Sequence, residues 1–342
     1  MESKAHIEAM ASHHAPRIIS SDWIEDQFIE TMDRIGFPQH NLERLTGIKE
    51  RRFWEKGTRL YEMSTIVCRR VIEEAGVDPQ EIGVLINTSV CRDYLEPSQA
   101  SLIHGSLGLS QNCLNFDITN ACLGFVNGLD IVRSMIEQGK IKYGIVVTTE
   151  GSPEALDHTI ELIKRPDCTA ETFMNNFATL TIGCGSVAML LSREDVASNG
   201  HRINDSAWLS DTSNGNNMLC VAKCDYSGME TNAAALLENG MPLAVKTWQK
   251  ANRYIANWHD EKIDLYVPHQ TSSRQINAFA NNCGITRAKI HLVLQTLGNV
   301  VSAAVPLALL DAHEQKRIKP DDHVGLIGIG SGLNCMMMSV TW

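Results

Sequence analysis

A chain of 342 residues, 44% hydrophobic and 20% charged, has the composition of a folded protein large enough for two domains or one two-part domain. Its formal net charge of −10 argues against the basic face that a nucleic-acid footprint requires. No run of about 18 apolar residues marks an integral membrane segment, and the opening residues lack the apolar core of a signal peptide, so cytoplasmic residence is the expectation.

Strand-like and helical patterns alternate along the chain, which predicts an α/β architecture. A helical pattern over residues 61–75 precedes an apolar strand over 82–87. The segment from Phe116 carries the β-branched Ile118 and Thr119, followed at once by small and apolar residues around Cys122 and a helix over 126–138. Strands over 144–148 and 186–191 follow, then a polar stretch over 192–217 that predicts a seam between halves 1–195 and 196–342. Helices over 233–257, 272–282 and 303–315 alternate with strands over 265–267 and 324–328. Their near-continuous apolarity predicts strands covered on both faces.

Glu137-Gln138-Gly139-Lys140-Ile141-Lys142 recurs as Glu314-Gln315-Lys316-Arg317-Ile318-Lys319, displaced by 177 residues (137 to 314). Each copy closes a helix and precedes a buried strand that soon reaches a Gly-Ser pair, Gly151-Ser152 or Gly330-Ser331. The same displacement carries Cys122 onto Asn299. Six residues alone leave a duplication open.

Ten scattered cysteines predict reduced thiols rather than a disulfide framework. Cys220 and Cys224 lie close together but lack the partners of a metal site, and none is expected. Cys122 differs by position, because a thiol where a strand gives way to a helix is expected to be stabilised as thiolate by unpaired N–H groups and the helix dipole. An acylated thiolate needs backbone donors for its oxyanion, and an enolate formed beside it needs more. Suitable parts occur at His269 in Val267-Pro268-His269-Gln270, at Asn299 in a Gly-Asn turn, and in the loop Gly328-Ile329-Gly330-Ser331-Gly332. Each also has an ordinary structural reading; their order carries the information.

That order, Cys in Asn-Ala-Cys, His in Pro-His-Gln, Asn in Gly-Asn, then Gly-x-Gly-Ser-Gly, resembles the ketoacyl-ACP synthase III branch of the thiolase superfamily over nearly the whole chain. The resemblance implies a thiolase-like five-layered αβαβα fold built from two duplicated βαβαβ halves. It implies Cys122 as acyl acceptor, His269 and Asn299 as ligands of the enolate oxygen, and the N–H groups of Cys122 and Ser331 as the thioester oxyanion hole. Substrates would be acyl-CoA or acyl-ACP thioesters, with no further cofactor and no metal.

The stretch from Leu85 to Ser98 and the ending Gly328 to Met336 resemble OleA-type enzymes, which join two fatty acyl-CoA molecules without decarboxylation. Such a Claisen condensation must take a proton from the α-carbon of a thioester, so it needs a positioned base. The resemblance gives that part to Glu96, reaching across a homodimer interface into the neighbouring site. Read alone, Glu96 before Pro97 also suits a helix start. Alternatives within the resemblance are a pyrone synthase, a malonyl-ACP-dependent decarboxylating synthase, and a non-catalytic partner subunit. Residues 46–54, with Lys49, Arg51 and Arg52, resemble a segment at the CoA entrance, where three cations could meet phosphates; a solvated basic loop is the equal alternative.

Overall fold

The computed structural model describes residues 4–151, 153–198, 200–213, 215–222 and 228–342. Nine strands form one mixed sheet: β1 (Ala5–His14), β2 (Ile82–Asn87), β3 (Leu114–Asp117), β4 (Tyr143–Glu150), β5 (Gly185–Arg193), β6 (His201–Ser210), β7 (Leu265–Pro268), β8 (His323–Gly330) and β9 (Asn334–Thr341). Their order is β7-β8-β9-β6-β1-β5-β4-β2-β3. Outward from the middle, β1-β5-β4-β2 is answered by β6-β9-β8-β7, so the two halves wind alike. Among the described residues they meet through two registered pairs, His6 with Arg202 and Ile7 with His201.

Six of the longer helices among the described residues cover these strands: α1 (Leu60–Ala75), α2 (Gln99–Leu107), α3 (Gly124–Glu137), α4 (Ala233–Tyr254), α5 (Ser273–Cys283) and α6 (Ala304–Glu314). Successive strand side chains point to opposite faces, and here both faces are dry. Leu85, Ile145, Val147 and Leu190 pack outward on α1 and α2. Val84, Ile86, Val146 and Met189 pack inward with Phe125, Val126 and Leu129 of α3, in a core shared with Val305, Ala308 and Leu309 of α6 and Leu326 and Met338 of the other half. Tyr266, Ile327 and Met337 face Trp248 and Ala251 of α4 and Ile276 and Phe279 of α5. The layers are therefore α1/α2, one half-sheet, α3/α6, the other half-sheet, and α4/α5, the five-layered arrangement expected. α3 and α6, which close on Glu137 and Glu314, occupy the middle layer together.

The stretch 192–217, read as a polar seam, contains the ten-residue strand β6, and the division at 195/196 falls in the connection from β5 to β6. β1 and β9 also went unread. In β1 the polar Glu8 is buried because its carboxylate accepts from the Ser192 hydroxyl at 2.6 Å and the Ser198 N–H at 3.1 Å. Among the described residues, no helix is long and apolar enough to cross a membrane. The nine described cysteines are all free, while Ser152 and Cys224 lie outside the described residues.

Candidate active site

β3 runs into a tight turn at Asn120, Ala121 and Cys122 before α3 opens at Gly124. Ala121 sits at φ +46°, left-handed backbone that few non-glycine residues adopt. The Leu123 N–H donates to the Asn120 carbonyl at 3.0 Å and the Gly124 N–H to the Ala121 carbonyl at 3.2 Å, which closes the turn. The half-buried Cys122 thiol is pushed well above its ordinary pKa, first by burial and then by electrostatic coupling to Cys220 and Glu150. This reverses the thiolate expected at the helix start. Cys122 stands two residues ahead of α3, where a dipole that acts on the first turn is outweighed by desolvation. The resting side chain is a neutral thiol.

His269 follows β7, and its N–H donates to the Ile327 carbonyl of β8 at 2.7 Å. Its side chain is buried, neither ring nitrogen has a protein partner, and burial pushes the imidazole down to about 4. It is neutral at pH 7, with one nitrogen free to donate and one to accept.

Asn299 sits in a second constrained turn. Its N–H donates to the Thr181 carbonyl at 2.9 Å and its carbonyl accepts from the Gly183 N–H at 3.0 Å. The side-chain oxygen accepts from the Val301 N–H at 3.1 Å, leaving the amide NH2 without a protein partner among the described residues. Val301 is β-branched yet holds φ +51°, the kind of outlier that persists where the surroundings over-determine it. Gly298 is needed here, since at φ +67° a Cβ would come 2.7 Å from the Thr181 carbonyl oxygen.

Ser331 follows the end of β8. A Cβ on the preceding Gly330 would lie 3.0 Å from the Asn120 carbonyl oxygen and 3.3 Å from the Leu123 nitrogen, so this loop runs directly against the Cys122 turn. The Asn334 amide ties the two together, donating to the Asn120 side-chain oxygen at 3.0 Å and lying 3.5 Å from the Ser331 carbonyl oxygen. Cys122, Glu150, His269 and Ser331 thus lie at or just beyond the carboxyl ends of β3, β4, β7 and β8, where open parallel sheets bind ligands.

Glu96 is exposed and, among the described residues, bonds none of the other four. The segment that carries it is fixed at its root, where the Asp93 carboxylate accepts from the Leu60 and Tyr61 N–H groups at 3.0 and 2.8 Å. Beyond that root, Tyr94 is 43% and Leu95 76% exposed. α2 begins at Gln99 with Ser98 as its cap, so Glu96 precedes the helix and does not serve its first turn.

The segment 46–54 differs from the expectation of three free cations. Arg51 is fully buried, donates to the Ser21 hydroxyl at 3.1 Å and the Leu180 carbonyl at 3.0 Å, and is pushed down to about 10 by burial. Of the three, only Lys49 is exposed, with Arg52 half-buried. One group of possible metal ligands occurs among the described residues, Asp22, Glu25 and His40, where one Glu25 oxygen already accepts from the Asn41 and Leu42 N–H groups. Sequence reasoning missed Glu150, Asn120 and Asn334. The signal for Glu150 was a carboxylate closing an apolar strand. A cavity of about 430 Å³ beside the Cys122 turn is lined by Ile118, Asn120, Ile131, Trp208 and Met336, among others.

The models of 3-oxoacyl-(acyl-carrier-protein) synthase III and of its C-terminal part match residues 116–212 and 255–342. An acyl-CoA:acyl-CoA alkyltransferase of Xanthomonas campestris is 38% identical over 98% of both chains. This chain belongs to the 3-oxoacyl-ACP synthase III family. Within the family, the acyl-CoA:acyl-CoA alkyltransferase of Shewanella oneidensis is 34% identical over 99% of both chains, whereas a β-ketoacyl-ACP synthase III of Natranaerobius thermophilus is 29% identical over 87% of this chain and 89% of its own. Xanthomonas campestris OleA, in a cysteine-to-serine form with lauric acid and lauroyl-CoA bound, superposes with a TM-score of 0.95 at 37% identity and 99% of both chains. The fold is thiolase-like. That enzyme has also been solved with a histidine or a glutamate replaced, and with cerulenin bound.

Proposed function

We propose that this family member condenses two fatty acyl-CoA thioesters without decarboxylation, through an acyl-Cys122 intermediate. Cys122 attacks the first thioester; neutral His269 is suited to receive the thiol proton, which leaves on the CoA thiolate. A second acyl-CoA enters, and Glu96 of the partner subunit removes its α-proton. The enolate oxygen is held by a ring N–H of His269 and the amide of Asn299. The carbanion attacks the Cys122 thioester, whose oxyanion faces the N–H groups of Cys122 and Ser331, and the C–S bond breaks to give a β-ketoacyl-CoA. Water can then release the β-keto acid. The cycle needs no cofactor beyond the CoA thioesters, and the two halves 1–195 and 196–342 contribute Cys122 and the His269/Asn299 pair respectively.

One observation carries the choice of a non-decarboxylative reaction: a carboxylate, Glu96, exposed on a segment whose root is fixed at Asp93. A decarboxylating synthase obtains its carbanion by losing carbon dioxide and has no use for such a base. The exposed Leu95 and Tyr94, together with the outermost strand β3 whose Leu114 is 53% exposed, support a second copy of this chain covering that edge. Incubation of the Glu96→Gln variant with acyl-CoA, followed by intact-protein mass and product extraction, tests the reading. The variant is expected to accumulate acyl-Cys122 and form no condensed product; wild-type product levels would remove Glu96 from the mechanism.

A further inference from the structure

Glu150 ends β4 with its carboxylate fully buried, and the cycle above gives it no part. One oxygen accepts from the Val90 N–H at 2.8 Å and from the Ser302 hydroxyl at 2.5 Å; the other accepts from the Cys91 N–H at 3.1 Å. Ser302, having given its proton to Glu150, accepts from the Thr148 hydroxyl at 2.5 Å. A buried carboxylate is tolerated only when donors replace its lost water, and these donors come from two places that matter. Val90 and Cys91 open the segment that leads through Asp93 to Glu96. Ser302 closes the turn that begins at Asn299, in which the Asn299 side chain bonds Val301.

We propose that Glu150 is a positioning residue, one buried carboxylate that fixes both the segment carrying the base and the turn carrying the enolate ligand. The inference rests on the reading of Glu96 and Asn299 given above. It follows that each protomer sets, through a single side chain, the amide of its own site and the carboxylate it lends to its neighbour. Errors of about 1 Å in such placements cost about 100-fold in rate. Acylation of Cys122, which uses neither Glu96 nor Asn299, is spared.

Two variants separate this role from a general loss of structure. Glu150→Gln keeps the size of the side chain but removes its charge and one acceptor, and Ser302→Ala removes only the link to the Asn299 turn. Single-turnover acylation of Cys122 is expected to stay within about threefold of wild type in both, while kcat for condensation falls about tenfold or more with little change in KM. The double variant is expected to be no slower than Glu150→Gln, because both changes cut one link. Glu150→Gln is also expected to shift the pH profile of Cys122 alkylation to lower pH, since the charge beside the thiol is gone. Normal condensation in Glu150→Gln, an equal loss of acylation, or losses that multiply in the double variant would overturn the inference. Failure of the wild-type protein to condense acyl-CoA would instead overturn the reading on which it rests.

Discussion

The chemistry of Cys122 and His269 is set by burial more than by their neighbours along the chain. Cys122 is a thiol at rest, so its alkylation by iodoacetamide is expected to be slow at pH 7 and to rise steeply above pH 9; fast labelling at pH 7 would contradict the desolvated site. Cys122→Ala is expected to abolish acylation altogether. His269 is about 4 in the folded protein against 6.5 when exposed, so the unfolded chain binds more protons between those values. Stability is therefore expected to be full above pH 6.5 and to fall as pH drops towards 4, by up to about 1.4 kcal/mol per pH unit for this one group. Urea titrations at pH 7 and pH 5 measure it, and His269→Asn is expected to shrink the difference; an unchanged difference would mean that the imidazole is not buried neutral. The local settings of Cys122, His269 and Asn299, a strand-to-helix junction, a strand end and a turn, were legible in the sequence. The direction of the Cys122 shift was not, because the burial that decides it, and the Cys220 and Glu150 groups that add to it, come to the thiol only through the fold.

At the scale of elements, the long amphipathic helices were legible to within a few residues, since an apolar stripe at helical spacing is written into any sequence that buries one face. The strands that were missed, β1, β6 and β9, carry polar residues whose partners lie far along the chain, as Glu8 does with Ser192 and Ser198. A local pattern cannot show such satisfaction. The same blindness applied to residues 46–54, where Arg51 reads as a solvated cation and is in fact held among Ser21 and Leu180. The segment leading to Glu96 belongs at this scale too. Asp93 accepts from both leading N–H groups of α1, so Asp93→Ala is expected to cost about 1–2 kcal/mol as a lost cap. It is also expected to lower condensation more than acylation, because Glu96 loses its fixed root. Loss of stability with an unchanged ratio of the two rates would confine Asp93 to the helix.

At the scale of the molecule, the winding of the two halves makes the site possible. Parallel strands from both halves end on the same side of the α3/α6 layer, which brings the Cys122 turn of one half against the Ser331 loop of the other. The 177-residue displacement hinted at this from the sequence, but the contact itself, Asn334 with Asn120, belongs to the folded chain. In a single copy Glu96 faces solvent, and among the described residues no hydrogen bond joins it to the Cys122 turn of its own chain. Whether Glu96 acts in the partner's site, as proposed, is tested by mixed dimers of Cys122→Ala and Glu96→Gln subunits, co-expressed with different tags. Each variant alone is expected to be inactive in condensation. Random mixing makes half of the dimers heterodimers with one complete site each, so about a quarter of the wild-type rate is expected to return. Mixed dimers that acylate Cys122 on the Glu96→Gln subunit yet form no condensed product would contradict the claim.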